Sequence, residues 1–498
     1  MAIGVGIGVP FKHSGGEGVV ANPDFVSTWN VASDGSTITL PLLSGGTYSG
    51  TIDWGDSSTS SLSYANRTHT FTTAGTYTIT LSGTIEGWQF NNGGDKLKIL
   101  DVSNWGTLNI TTGTAFYGCT NLDITAIDAP IISSVYAGMY MFSGCTSLTT
   151  PDFSLWDVSA MTNIQYIFQD CTLFNGNISD WDVSSVTVVD KAFISCAAFN
   201  TSLNSWDLTG VTQFGAVSYG QNLGMFVGCS SLNQPFNSWD MSGATKTYGM
   251  FSGCTAFNQS LNSWDVSNIT DMRGMFGSCA AYNQPMSSWV TTSLTLANGM
   301  FSGCTAFNQD IDNFDMSGVT SLNSFFYYCT AFNQDLNSWD VSSVTNMEDT
   351  FRNCTAFNGD ISDWDVSAVT SFGYVNYGQL HGMFYDAAAF NRDIGGWNTS
   401  AALSLYAMFR GATIFDQDLS LWDINQATNL AGGIIYNSNG LSTANYDALL
   451  IGWDSQGAMS YSGTVYFGLS KYTSGGAAEA ARTSLISKWG AIIDGGAA

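Results

Sequence analysis

Cys254-Thr-Ala-Phe-Asn-Gln-Ser-Leu-Asn-Ser-Trp264-Asp-Val-Ser-Asn-Ile-Thr270-Asp-Met-Arg-Gly-Met-Phe276-Gly-Ser278 is followed by Cys279, where the same pattern begins again. Cysteines stand at 119, 145, 171, 196, 229, 254, 279, 304, 329 and 354, and every step between them but one is 25 or 26 residues. The exception, 196 to 229, is 33. Ala387 and Ala412 hold the cysteine place in two later units. A fixed period in this range is the mark of a solenoid, in which each unit buries its apolar face only against its neighbours.

Within one unit Trp264 and Val266 alternate with Asp265, which reads as a short strand with the ring and the valine inward and the carboxylate outward. Thr270 ahead of Met272-Arg-Gly-Met-Phe276 reads as an N-cap followed by one or two helical turns. Gly/Ser-Cys-Thr then turns the chain back. The columns follow from this unit. Trp156, Trp181, Trp206, Trp239, Trp264, Trp289, Trp339, Trp364, Trp397 and Trp422 are expected to form an internal aromatic stack, with Phe314 substituting once. The cysteines are expected to be small buried hydrophobes, since alanine replaces them late in the chain. The asparagines from Asn175 to Asn391 are expected to form a ladder bonded to the turn backbone, because buried amides need partners. The aspartates from Asp157 to Asp423 stack at strand spacing, where like charges repel. Solvent, Ser/Thr hydrogen bonds or a bound cation must offset that repulsion. A lone column supplies few of the oxygens that calcium prefers.

The chain has 498 residues, 44% hydrophobic and 14% aromatic, but only 10% charged. An ordinary soluble domain carries roughly 25% charged residues. Ser, Thr, Asn and Gly take their place, giving a polar and mostly uncharged surface. The net charge is −26, with 27 acidic and 6 basic residues between 110 and 430. A phosphate backbone needs Lys and Arg opposite it, so nucleic acid and anionic membranes are not expected as partners. No stretch approaches the ~20 apolar residues that span a bilayer.

Residues 1–22 read as an extended N-terminal arm, either a tail or a strand that pairs with a neighbouring virion or surface protein. Met1-Ala-Ile-Gly-Val-Gly-Ile-Gly-Val-Pro-Phe11 has no basic stretch and no clean cleavage site, so it does not read as a secretory signal. That makes export by the Sec route unexpected and favours another exit, such as release inside a virus particle. Residues 23–112 change character. Ser36–Leu40, Tyr48–Trp54 and Thr76–Leu81 alternate like strands, and their spacing points to a small antiparallel β-sandwich. Asp53-Trp-Gly-Asp56 followed by His69-Thr-Phe-Thr-Thr-Ala-Gly-Thr-Tyr-Thr-Ile-Thr-Leu81 resembles the polycystic-kidney-disease (PKD) type immunoglobulin-like domain. That resemblance implies a spacer or adhesion module. Asp53 and Asp56 are read as side chains closing a tight turn on their own backbone.

Residues 113–430 are the repeats. Cys-Thr-x-Phe-Asn-x-x-Leu-x-x-Trp-Asp-Val-Ser-x-Val-Thr-x-Met-x-x-Met-Phe resembles the BspA-like leucine-rich repeats of bacterial surface proteins. The resemblance implies a right-handed leucine-rich-repeat-like solenoid used in adhesion, and it implies no chemistry. The expected fold is therefore mixed α/β: a solenoid of about twelve 25-residue coils, preceded by a β-sandwich and closed by an α/β cap. The cap is residues 431–498, read as a capped helix from Ser442, a strand at Val465–Phe467, a second helix at Ala477–Trp489 and a last strand at Ala491–Asp494.

Two units depart from the pattern. Phe214-Gly-Ala-Val-Ser-Tyr-Gly-Gln-Asn-Leu-Gly224 and Phe372-Gly-Tyr-Val-Asn-Tyr-Gly-Gln-Leu-His-Gly382 each add eight residues before Met-Phe. Insertions in repeats often mark a binding face. Tyr219, Gln221, Tyr377, Gln379 and His381 are the candidate binding residues, against the plainer reading of an internal duplication. No catalytic residue, metal site or cofactor is expected. The cysteines come singly, only three histidines exist, and no phosphate loop or nucleophile motif appears. The expected function is a non-enzymatic adhesion or structural protein. It is placed on a virion as a phage fibre, decoration or receptor-binding component that contacts a host-surface glycan or protein, and it is compatible with a homo-oligomer. The alternatives are a bacterial cell-surface adhesin and a virion glycan depolymerase.

Overall fold

The computed structural model describes residues 23–215, 217–218, 221–222, 224–430, 434–435, 439–457 and 460–498. The expected arm at 1–22 lies outside them. The first ten strands are β1 (Phe25–Val31), β2 (Thr37–Thr39), β3 (Leu42–Asp53), β4 (Thr59–Ser61), β5 (Thr68–Thr70), β6 (Gly75–Trp88), β7 (Ile99–Asn104), β8 (Leu108–Ile110), β9 (Asp123–Ile124) and β10 (Ile131–Ile132). The long strand β6 is the spine of an N-terminal sheet. One of its edges takes β3 antiparallel, and β4 follows β3. The other edge takes β1 antiparallel along its first half and β8 parallel near its end. Between those halves Gly50 pairs with Gly83, both at positive φ. A Cβ on Gly50 would lie 1.9 Å from the Ser82 carbonyl, so glycine is required where the two strands bend together. A two-stranded sheet, β2 with β5, stands apart.

The main sheet does not stop at residue 112. β8 pairs parallel with β10, and β7 pairs parallel with β9. These pairings begin the parallel stacking that the repeats continue, as in the bridge of Lys246 to Asp271. The apolar core is continuous as well: Trp105 meets Trp156 edge-on at 5.2 Å, and Phe116 stacks on Phe142 at 5.6 Å.

Each repeat bonds to the next at a fixed offset. The N–H groups of Met272, Gly274, Phe276 and Ser278 donate to the carbonyls of Leu296, Asn298, Met300 and Ser302, one unit later. The intervening N–H groups of Met275, Gly277 and Cys279 donate back to Met272, Gly274 and Phe276. The expected helical turns after Thr270 are therefore not helix. They are single turns, each reset by a left-handed residue. Gly274 and Ser278 have φ of 58° and 60°, and the corresponding residues of most other units, among them Tyr166, Asp170, Asp349 and Asn353, are also positive. The physical reason is satisfaction of the backbone. A helix would spend every N–H within the unit and leave no donor for the neighbour. Alternation uses one N–H for the turn and the next for the stack.

The Trp-Asp-Val strand is likewise a pair of turns, closed by Trp264 N–H to Leu261 and Ile269 N–H to Val266. Its alternation is as expected, with Trp264 and Val266 buried and Asp265 exposed. Thr270 is not an N-cap. Its hydroxyl donates to the carbonyl of Thr245 one unit earlier, 3.3 Å away, in a ladder that includes Thr245, Thr295 and Thr345.

Two antiparallel hairpins interrupt the repeats: β11 (Val217–Ser218) with β12 (Gln221–Asn222), and β13 (Gly373–Asn376) with β14 (Gln379–Gly382). The chain closes with α1 (Thr443–Asp454), β15 (Gly463–Tyr466), α2 (Ala477–Trp489) and β16 (Gly490–Ile493), β15 and β16 pairing parallel. Ser442 caps α1 by accepting the N–H of Asn445. Among the described residues no helix is long and apolar enough to cross a membrane.

Candidate functional site

Inside the stack the columns repeat with little variation. Neighbouring tryptophan rings lie nearly parallel, 6.1 Å apart for Trp339 and Trp364 and 6.3 Å for Trp397 and Trp422. Each indole N–H from Trp181 onward, where the column has a tryptophan, donates to a carbonyl of the unit before, as Trp264 does to Phe236 at 2.8 Å. All ten cysteines are free and fully buried. Nine of the thiols donate to the carbonyl of a phenylalanine in the previous unit, Cys254 to Phe226 at 3.1 Å. Burial pushes these thiols well up, which disfavours the thiolate form. The asparagine ladder is present: each side-chain oxygen accepts the N–H of its counterpart one unit later, as Asn258 does from Asn283 at 2.9 Å. It runs on through Asp416 to Ser442 in the cap.

The outward aspartates close their own turns. Asp265 Oδ1 accepts the Ser267 N–H at 3.0 Å and the Ser267 hydroxyl at 2.6 Å. The same pair of bonds holds Asp182 and Asp340. The hydroxyl bond, then the backbone bond, lowers the carboxyls of Asp182, Asp265 and Asp340 below the usual range. Of the three offsets to repulsion named above, this geometry shows the Ser hydrogen bonds. Asp53 and Asp56 close their turn in the same way, by accepting the N–H groups of Gly55 and Ser58. Against a desolvation cost, Ser58 and His69 hold Asp56 at about 2.

The two hairpins are what stands out from this regularity. Each leaves the stack between a phenylalanine and a methionine that stay bonded, Met225 N–H to Phe214 and Met383 N–H to Phe372. A glycine pair forms each base. A Cβ on Gly215 or Gly373 would meet a carbonyl of the next unit at 2.0 Å, and one on Gly224 or Gly382 at 2.1 or 2.2 Å. The recurring Phe-Gly…Gly-Met-Phe is therefore a steric signature of a hairpin rooted against its neighbour.

Tyr219 lies outside the described residues, and Gln221 opens β12 opposite Ser218. Tyr377 stands at the tip of the second hairpin, fully exposed, and Gln379 is exposed opposite Asn376. His381 is not part of that open tip. Its Nδ1 lies 2.5 Å from Asp349, and its ring stacks on Tyr374 at 4.2 Å. Asp349 also accepts the N–H of Gly382. His381 thus fastens the hairpin to the unit before it.

Sequence reasoning missed Asp349, Arg352, Tyr327 and Tyr385, which surround this anchor. The Arg352 guanidinium lies over Tyr385 at 4.7 Å and Tyr327 at 5.4 Å. The signal was readable: Glu348-Asp349 carries two acids where the preceding units have Arg273-Gly274, Asn298-Gly299 and Asn323-Ser324. A shallow groove on another side is lined by Pro285, Gln309, Asp310 and Asp312. Its two carboxylates accept backbone N–H groups, Asp310 from Asp312 and Asp312 from Ser338.

Fold and site together define a class: a repeat protein with a buried cysteine and aromatic period of about 25 residues, an N-terminal β-sheet region and C-terminal helices. Stretches 110–223, 221–314, 286–379 and 339–446 each match the family described as "Mycoplasma protein of unknown function, DUF285", and the chain belongs to that family. No curated protein and no solved structure matches it.

Proposed function

We propose that this chain is a non-enzymatic adhesion protein of the bacterial cell surface, built as a right-handed leucine-rich-repeat-like solenoid with a PKD-like β-sandwich at one end and an α/β cap at the other. The observation that carries the reading is the use to which the reactive groups are put. Thiols donate to carbonyls, row aspartates close their own turns, and indoles bond between units, so these side chains are spent on the stack. What is exposed instead is the tip of the second hairpin, on a long polar surface, which suits contact and not catalysis.

The family match has a bacterial description, which supports the bacterial alternative over the virion setting expected from the N-terminus. Immunogold labelling of intact cells with antibody to residues 23–498 tests it. Surface label that protease removes is the expected result. Label confined to virus particles returns the virion reading, and label seen only in broken cells removes both. A fall in the viscosity of a polysaccharide solution incubated with the pure protein overturns the non-enzymatic part and supports the depolymerase.

A further inference from the structure

The repeats have two chemically different sides. One is the stretch of each unit from nine residues before the column cysteine, or its alanine, up to that residue, lengthened by the eight inserted residues in the two hairpin units. Between 113 and 430 it contains twelve of thirteen tyrosines and five of six basic residues. Its acids number six, so it is close to neutral, whereas the rest of the repeats holds twenty-one acids against one base. The backbone ladder of these stretches stacks like positions on like, so the sequence bias becomes a surface stripe.

Side-chain contacts between units confirm the alignment. Tyr140 lies 5.4 Å from Tyr117 and stacks on Tyr166 at 4.3 Å, and the Lys191 ammonium lies over Tyr166. Arg273 covers Tyr248 at 4.9 Å, and Arg410 shares Tyr385 with Arg352. The stripe ends its second hairpin on the exposed ring of Tyr377.

We propose that this tyrosine–arginine stripe, with the second hairpin, is the surface that grips an uncharged polysaccharide. The inference rests on the adhesion reading and names its ligand class and its face. The exposed rings of Tyr136, Tyr328 and Tyr377 offer flat apolar faces for pyranose rings, and the stacked rings between them present hydroxyl edges for the polar rim. Guanidinium groups parked over rings keep N–H donors for sugar hydroxyls. The near-neutral stripe gives no attraction for a polyanion, and the acidic remainder repels one. A row of similar contacts spaced roughly 4.8 Å apart suits a ligand that is itself periodic. Many weak contacts along one chain then add through effective concentration.

Affinity electrophoresis of the full chain in gels containing dextran, mannan or galactomannan, with hyaluronan as the anionic comparison, tests this. The expected result is retardation by at least one uncharged polymer and none by hyaluronan. Tyr136→Ala, Tyr328→Ala and Tyr377→Ala should each weaken it at least fivefold, and Asp265→Asn with Asp340→Asn on the acidic side should leave it unchanged. Melting curves establish that the variants are folded, and Tyr377 touches no core. Retardation by hyaluronan alone, by none of the polymers, or to the same extent in the tyrosine variants overturns the inference. Surface label on cells together with any of these results leaves adhesion standing and removes only the glycan. Tyrosine-dependent capture of immobilised matrix proteins without polysaccharide binding likewise removes the glycan and keeps the face.

Discussion

At the scale of single residues, the columns distinguish side chains that fill space from side chains that also bond. Cysteine fills space and donates weakly, which is why Ala387 and Ala412 replace it without breaking the stack. Cys254→Ala should cost about 1 kcal/mol, read as a small drop in Tm. Trp264→Ala leaves a cavity and removes one of the two hydrogen bonds that the Phe236 carbonyl accepts, and should cost about 3–5 kcal/mol. The thiols should resist Ellman's reagent in the native protein and all ten should react in denaturant; rapid native labelling would contradict their burial. The aspartate row titrates with a definite sign. Asp182, Asp240, Asp265, Asp340 and Asp365 have lowered carboxyls. Their contribution is present above the unfolded carboxylate value of about 3.9 and is lost as pH falls through the lower folded values. Asp190 and Asp386, raised by burial, act the other way. Tm should hold from neutral pH to about 5 and fall below about 4, less steeply once Ser267→Ala and Ser342→Ala remove the stabilising hydroxyls. Chelator should leave Tm unchanged if those hydroxyls alone offset the repulsion.

At the scale of elements, the hairpins are additions to a unit that is complete without them. Removing residues 374–381 leaves Phe372-Gly373-Gly382-Met383, the same spacing as Met272-Arg273-Gly274-Met275. That deletion should fold with a Tm within a few degrees of the parent, with Asp349 left to Arg352, 3.6 Å away. Gly382→Val should be far worse, because its Cβ runs into the Ala407 carbonyl with no flexible atom to yield. Which elements were legible follows from how local their causes are. Both C-terminal helices could be read from Ser442 and from the apolar spacing of Ala477–Trp489, and they stand where expected. The unit interior was not legible as a conformation. Met-x-x-Met-Phe has helical spacing, yet the residue just before the second methionine carries positive φ, and tyrosine, lysine and aspartate adopt it at that position as well as glycine. Only the bonds to the next unit repay that backbone cost.

At the scale of the whole molecule, stability should be close to a sum over units and their interfaces. Deleting residues 255–304 joins Cys254 to Thr305 in register and should give a folded, somewhat less stable protein by circular dichroism. Cutting the chain after residue 430 should instead expose Trp422 and aggregate. The cap continues the columns: Trp453 of α1 donates to Leu419 as the next indole would, and Tyr446 and Arg482 bind the buried Asp494 across it.

The sequence by itself determined the period, the inward columns, the amide ladder and the positions of both insertions, because each depends on a residue type recurring at one spacing. Only the tertiary structure decided that the unit is turns and not helix, that His381 is an anchor, and that the tyrosines and arginines share one side. Those outcomes rest on bonds and contacts between residues about 25 or more positions apart, which no local propensity encodes.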